Sequence, residues 1–221
     1  VKQLAEKVHN ASCIVIKIGS ALLVDEKTGL VKSNWIESLV KDIAFLKSSG
    51  KQVVIVSSGS IAIGRKILGL SSNTIKLEEK QAAAAVGQGK LVQSWAHYLA
   101  QHNITAGQIL LAPDDTETRR RHLNARATIK TLLDLGVVPV VNENDTVTTY
   151  EIRFGDNDRL AARVAGMISA DLLILLSDID GLYSADPARH KNAAHIPDII
   201  QITDEILSMG GSANASFASG G

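Results

Sequence analysis

Short apolar runs recur along this chain and predict strands at residues 13–18, 52–56, 104–111, 137–141 and 172–176. Between them the apolar spacing lengthens to that of a helix. Residues 34–47 carry Ile36, Leu39, Val40, Ile43 and Leu46 on one face and stop at Gly50. Helices are likewise predicted over 61–68, 77–102, 117–135 (closed by Gly136) and 158–168. The 77–102 stretch is rich in alanine, so Gly87 and Gly89 point to close packing or a kink there. Residues 147–154 alternate as one arm of a hairpin would, 187–197 look like a loop, and 199–202 like a short strand. Strand and helix signals that alternate in this way imply a mainly parallel sheet with helices on both faces. No repeat or low-complexity linker interrupts them, so one α/β domain over 1–221 is expected. Residues 210–221 are Gly/Ser/Ala-rich with almost no apolar anchor, and are expected to be mobile unless a ligand orders them.

Polar clusters fall where strands end and helices begin. The run at 137–141 empties into Asn142-Glu143-Asn144-Asp145, and Gly155-Asp156-Asn157-Asp158 precedes the helix at 158–168. Singly, each cluster fits a turn or an N-cap as well as a site. Together, carboxamides beside carboxylates suit a small polar molecule bearing an ammonium group. Lys17-Ile18-Gly19-Ser20 sets a cation beside a glycine at the end of the first strand, a pairing that suits phosphate oxygens. Ser57-Ser58-Gly59-Ser60 repeats the logic at a helix start, where Ser60 as an ordinary N-cap is the alternative. The loop from Ser177-Asp178 through Gly181-Leu182-Tyr183 to Asp186-Pro187 has the make-up to cup a nucleoside.

Composition narrows the classes. Lys+Arg and Asp+Glu balance at 23 each, which argues against a nucleic-acid or membrane-surface partner, since both call for a clustered basic field. The single cysteine, Cys13, excludes an internal disulfide framework and reads as a small buried hydrophobe. No secretory segment opens the chain and no apolar run is long enough to span a bilayer, so a cytoplasmic location is expected. A phosphate-binding G-x-x-x-x-G-K-[ST] loop, a G-x-G-x-x-G after a strand and a G-x-S-x-G elbow are all lacking. His97 and His102 suit a helix surface better than a metal. Arg119-Arg120-Arg121 suits a solvated face or a subunit contact, and Trp35 and Trp95 suit packing.

In their order, Lys17-Ile18-Gly19-Ser20, Ser57-Ser58-Gly59, Asn142-Glu143-Asn144-Asp145, Gly155-Asp156-Asn157-Asp158 and Ser177-Asp178…Gly181-Leu182-Tyr183 resemble the amino acid kinases. The first two motifs are shared across that family; the last three together resemble its glutamate 5-kinase branch. The resemblance implies a three-layer αβα sandwich and ATP-dependent phosphorylation of the γ-carboxylate of L-glutamate, the first step of proline biosynthesis. It implies Lys17 and Asp158 as catalytic, with Asp158 orienting the lysines. Ser58, Gly59, Asp145, Asp156 and Asn157 would bind substrate. Lys17, Gly19, Ser20, Ser177, Asp178, Ser219, Gly220 and Gly221 would bind nucleotide, Ser177 standing where threonine is more usual. ATP and Mg²⁺ are the implied cofactors, with no metal site made by the protein itself. L-Glutamate is the implied substrate, proline a feedback inhibitor, and a homodimer or homotetramer the assembly. A second lysine is implied in a Gly-Gly-Met-x-x-Lys stretch whose start matches Ala218-Ser219-Gly220-Gly221. The kinase domain is therefore expected to be truncated at its C-terminal end, with no second domain, and a chain ending there to be a poor catalyst. Two alternatives stay open: another amino acid kinase such as N-acetylglutamate kinase, and a non-catalytic amino-acid sensor.

Overall fold

The computed structural model describes residues 2–25, 27–70, 76–147 and 157–209. In chain order, α1 (Lys2–Asn10) leads into β1 (Cys13–Ile18), the short α2 (Ser20–Leu23), α3 (Ser33–Ser48) and β2 (Gln52–Ser57). Then come α4 (Ser60–Ile67), α5 (Leu77–Ala100), β3 (Ala106–Leu111), α6 (Pro113–Glu117), α7 (Arg119–Asp134) and β4 (Val138–Glu143). The described chain closes with α8 (Asn157–Ile168), β5 (Leu172–Leu176), β6 (Leu182–Tyr183), β7 (His195–Ile196) and α9 (Asp204–Met209).

The first five strands form one sheet in the order β3-β4-β2-β1-β5, and every pairing in it is parallel. Alternation along each strand divides its residues between two cores. Ile14, Ile16 and Ile18 of β1 pack with Val53 and Ile55 against Ile36, Val40 and Ile43 of α3 and Leu91, Trp95 and Leu99 of α5. Val15, Val54, Val56 and Val141 face the other way, onto Ile129 and Leu133 of α7 and Leu160, Val164 and Met167 of α8. A sheet covered on both faces explains why its strands read as continuous apolar runs rather than alternating ones. The result is the expected α/β sandwich.

Because the strands are parallel, their C-terminal ends share one edge. The chain also reverses direction across the sheet at β1: β2 lies on one side and β5 on the other. A crevice outside the strand ends at such a switch point is where open α/β sheets hold ligands.

Several expectations need correction. The helix foreseen at 117–135 starts two residues later, as α7, because Thr118 adopts an extended conformation (φ −79°, ψ 117°); the short α6 before it was not foreseen. The strand at 137–141 runs on to Glu143, so Asn142 lies within the sheet and not in a turn. Within 187–197, His195–Ile196 pairs antiparallel with Leu182–Tyr183, so that stretch is not all loop. Residues 199–202 form no strand; Ile200 is 101% exposed. Of the paired glycines, Gly87 packs closely on α4 while Gly89 faces open space. Helices α1, α2 and α9 were not foreseen, being short or at the margins of the apolar pattern. The hairpin arm at 147–154 falls, after the turn residue Val147, outside the described residues, as does 210–221.

Candidate active site

Lys17 enters the site because of strand periodicity. It stands one pleat on from Val15, on the face covered by α8, and is 1% exposed. Asp158, in the first turn of α8, lies 2.6 Å from Lys17 Nζ and is 32% exposed. The pair thus joins a sequestered cation to a carboxylate that still reaches solvent. Gly19 follows at the end of β1, where its N–H donates to Leu176 O of β5 at 3.0 Å. That backbone donor is consumed in the sheet and is not free for a phosphate. The glycine matters by what it lacks: a Cβ there would sit 3.9 Å from Lys17 Nζ and 3.9 Å from Ser177 Cα. The bare backbone keeps open the space between the lysine and the loop after β5.

At the end of β2, Gly59 holds φ 101°, a left-handed conformation that suits glycine, and α4 begins at the next residue. Ser60 is therefore inside the helix, and no side chain caps it. Its buried hydroxyl instead faces two partners of the site, accepting from Asn142 Nδ2 at 3.4 Å and hydrogen-bonding Asp145. Asp145 is only 7% exposed. Burial pushes its carboxyl up from 3.8 to about 6, against the opposing effect of the Ser60 hydrogen bond.

Asn157 ties these parts together. Its Nδ2 donates to Ser58 Oγ at 2.7 Å, Ser57 O at 3.2 Å and Asn142 Oδ1 at 3.2 Å. Asn142 Oδ1 also accepts from Glu143 N–H at 2.9 Å, and Asn142 Nδ2 donates to Gln88 Oε1 of α5 at 2.6 Å. Behind Ser58, Ser57 Oγ accepts from the buried Trp95 Nε1 at 3.0 Å. Two buried polar atoms of this group have no hydrogen-bond partner among the described residues, Asn157 Oδ1 and Gln88 Nε2.

The structure thus gathers Lys17, Gly19, Ser58, Asp145, Asn157 and Asp158 at the C-terminal edge of the sheet. Gly59 and Ser20 adjoin, a Cβ on Gly59 lying 3.9 Å from that of Ser20. Ser177 stands across from Gly19, and its Oγ donates to the exposed Asp178 at 3.1 Å. Asp156, Ser219, Gly220 and Gly221 lie outside the described residues. Sequence reasoning assigned no part to Gln88, and gave Asn142 and Ser60 none beyond membership of their motifs. The signals were faint: a polar residue extending an apolar strand, and a glutamine between two glycines of an Ala-rich helix.

Elsewhere, an open depression of about 650 Å³ lies at the other end of the sheet, lined by Glu6, Lys7, Asn10, Ala11, Asp171 and Leu172. Its Asp171 already accepts from the N–H groups of Ser12 and Cys13. Cys13 itself is half-buried, and its thiol is pushed up by burial and by Asp171. Among the described residues no His/Cys/Asp/Glu cluster has the make-up to hold a metal, and no helix is long and apolar enough to cross a membrane.

The sequence matches the amino acid kinase family over residues 12–221. It is 58% identical over 217 residues to a glutamate 5-kinase of Gluconobacter oxydans, covering 98% of this chain and 57% of that protein. Over 208 residues it is 60% identical to a glutamate 5-kinase of Agrobacterium fabrum, covering 94% of this chain and 53% of that protein. The chain thus spans little more than half the length of the curated relatives it matches. By shape it resembles isopentenyl phosphate kinase of T. acidophilum (TM-score 0.59, 19% identity, 85% of this chain and 79% of that one). It also resembles UMP kinase of Bacillus anthracis (TM-score 0.58, 17% identity, 90% and 83%). These two likenesses establish the fold.

Proposed function

Because this chain belongs to the amino acid kinase family, we propose that it transfers the γ-phosphoryl group of ATP to the γ-carboxylate of L-glutamate. The product would be L-glutamyl 5-phosphate, made in the first step of proline biosynthesis. One observation carries the reading. The Lys17–Asp158 pair, with its lysine buried and its carboxylate reaching solvent, stands beside an acid/amide group, Asp145, Asn157 and Ser58, at the switch point of the sheet. The names of the relatives support the choice of acceptor.

The division of labour follows from charge. A carboxylate oxygen is already nucleophilic, so no general base is needed. It attacks the γ-phosphorus, the bond to the bridging oxygen breaks, and ADP leaves with that electron pair. Lys17 offsets charge on the equatorial oxygens, and Asp158 holds its ammonium in line. The space that Gly19 leaves open next to Lys17 would take the nucleotide's phosphates, with Ser20, Ser177 and Asp178 beside them. Ser219, Gly220 and Gly221 complete the proposed nucleotide contacts. With no carboxylate cage among the described residues, Mg²⁺ would be held largely by the nucleotide's phosphates. Bound Mg²⁺-ATP would supply the phosphoryl group and neutralise charge between its phosphates.

Asp145 and Asn157 suit the substrate's ammonium group, joined by Asp156, while Ser58 and Gly59 hold the acceptor end near the start of α4. Ionised Asp145 matches a primary ammonium, whereas an acylated nitrogen brings it a single neutral N–H and no charge. A cytoplasmic homodimer or homotetramer inhibited by proline completes the proposal. Calorimetric titration tests the acceptor. L-Glutamate should bind, and N-acetyl-L-glutamate at least about tenfold more weakly, since a buried carboxylate is then left without its cation. Tighter binding of the acetylated ligand would reverse the choice.

A further inference from the structure

We propose that Gln88 is a positioning residue that makes the site selective for ligands carrying a primary ammonium group. The inference rests on the glutamate reading above and extends it to a residue that touches no reacting atom.

The argument is one of donors and acceptors. An amide has a donor end and an acceptor end, and its neighbours decide which way it faces. The donor end of Asn157 serves three acceptors: Ser57 O, Ser58 Oγ and Asn142 Oδ1. Its acceptor end, Oδ1, is buried with no partner among the described residues. A buried lone acceptor in the same polar group as Asp145 is complementary to a cationic N–H donor. Asn142 supports this polarity by turning its own oxygen toward Asn157, and turned the other way it would compete for Asn157 Oδ1.

Gln88 secures that orientation. Its Oε1 takes the donor end of Asn142 at 2.6 Å, and Glu143 N–H holds the acceptor end at 2.9 Å. Without the Gln88 acceptor, Asn142 Nδ2 would keep only the long 3.4 Å contact to Ser60 Oγ. The strongest unused acceptor nearby is Asn157 Oδ1, and satisfying Asn142 there would consume the atom meant for the ligand. The fold holds Gln88 in place by close helix packing. Its neighbour Gly87 lies so near α4 that a Cβ would fall 1.8 Å from Ser60 O.

The test compares L-glutamate with glutarate, which has both carboxylates and no amine, by calorimetry on the wild type, Gln88→Met and Gln88→Glu. Methionine keeps the length and removes the acceptor; glutamate, ionised or protonated, still offers Asn142 an oxygen. Gln88→Met should lower L-glutamate affinity about tenfold and shift glutarate affinity less than about twofold. Gln88→Glu should restore most of the preference. Equal weakening toward both ligands would mark a structural role only and overturn the proposal. A wild type that fails to bind L-glutamate would instead sink the underlying reading. A measurement without a variant guards against misfolding. In the ligand-free wild type the side-chain amides of Asn142 and Asn157 should exchange hydrogen slowly, and fast exchange of both would equally overturn the relay.

Discussion

Lys17 Nζ and Asp158 Oδ1 lie 2.6 Å apart, one at the end of a central strand and the other in the first turn of α8. The lysine is 1% exposed and the carboxylate 32%. That asymmetry separates two variants that would otherwise look alike. Asp158→Ala leaves a sequestered ammonium without this carboxylate, and should destabilise the fold by about 3 kcal/mol. Lys17→Met fills the same volume and leaves a carboxylate that water reaches, so its stability should stay within about 1 kcal/mol of wild type. Yet Lys17→Met should lower phosphoryl transfer by about 10²–10³. Chemical denaturation beside steady-state turnover separates the two effects.

Asp145 gives the site a pH dependence whose sign is fixed. Burial raises its carboxyl from 3.8 to about 6. A raised carboxyl means that the folded state holds its proton more tightly than the unfolded chain. Its contribution to stability is therefore fully present below about pH 4 and lost as pH rises through about 6. Asp145→Asn removes the ionisation and should be more stable than wild type by about 3 kcal/mol above pH ~7, with the gap closing below pH ~4. Denaturant midpoints across that range check it, and a gap that does not vary with pH would contradict it.

The same residue predicts the opposite trend for binding. An ammonium ligand pairs with the ionised form, so L-glutamate should bind more weakly as pH falls below about 6. Asp145→Asn should bind weakly at every pH. Calorimetry in buffers of different ionisation enthalpy would also detect release of the Asp145 proton on binding near pH 6.

Much of this arrangement was legible in the sequence, for a physical reason. Parallel strands covered on both faces must be apolar throughout, so β1, β2 and β4 announced themselves, as did the less covered but equally apolar β5, and the polar residues at their ends stood out. Lys17, Ser58 and Asp145 are of that kind, and Asp158 stands at the opening of α8. Relations across the fold were less visible. Asn142 looked like a turn residue because strand termination was inferred from polarity, whereas β4 carries its asparagine into the core by pairing it with Gln88. Ser60 looked like a cap because of its place after Gly59, but the turn is made by that glycine's φ of 101°. No local pattern shows that Gly87 brings Gln88 within reach of β4, because that depends on how α4 and α5 cross.

Gly87 and Gly89 offer a contrast within one helix. A Cβ at Gly87 would lie 1.8 Å from Ser60 O, a backbone atom that cannot swing away, while nothing lies within 4 Å of one at Gly89. Gly87→Ala should cost about 3 kcal/mol or more and disturb ligand binding by shifting Gln88 and Ser60. Gly89→Ala should stabilise by roughly 0.5–1 kcal/mol through helix propensity alone. Thermal unfolding of the two variants would show opposite shifts if α5 packs as described.

The central claim is acyl-phosphate formation on the γ-carboxylate of L-glutamate, driven by ATP at the Lys17–Asp158 pair. Hydroxylamine converts an acyl phosphate to a stable hydroxamate, so trapping it reports the product directly. The account predicts ATP-dependent hydroxamate from L-glutamate, none above background from N-acetyl-L-glutamate, and loss of the signal in Lys17→Met. Hydroxamate from the acetylated acceptor alone, or glutamate binding without any ATP-dependent product, would contradict it.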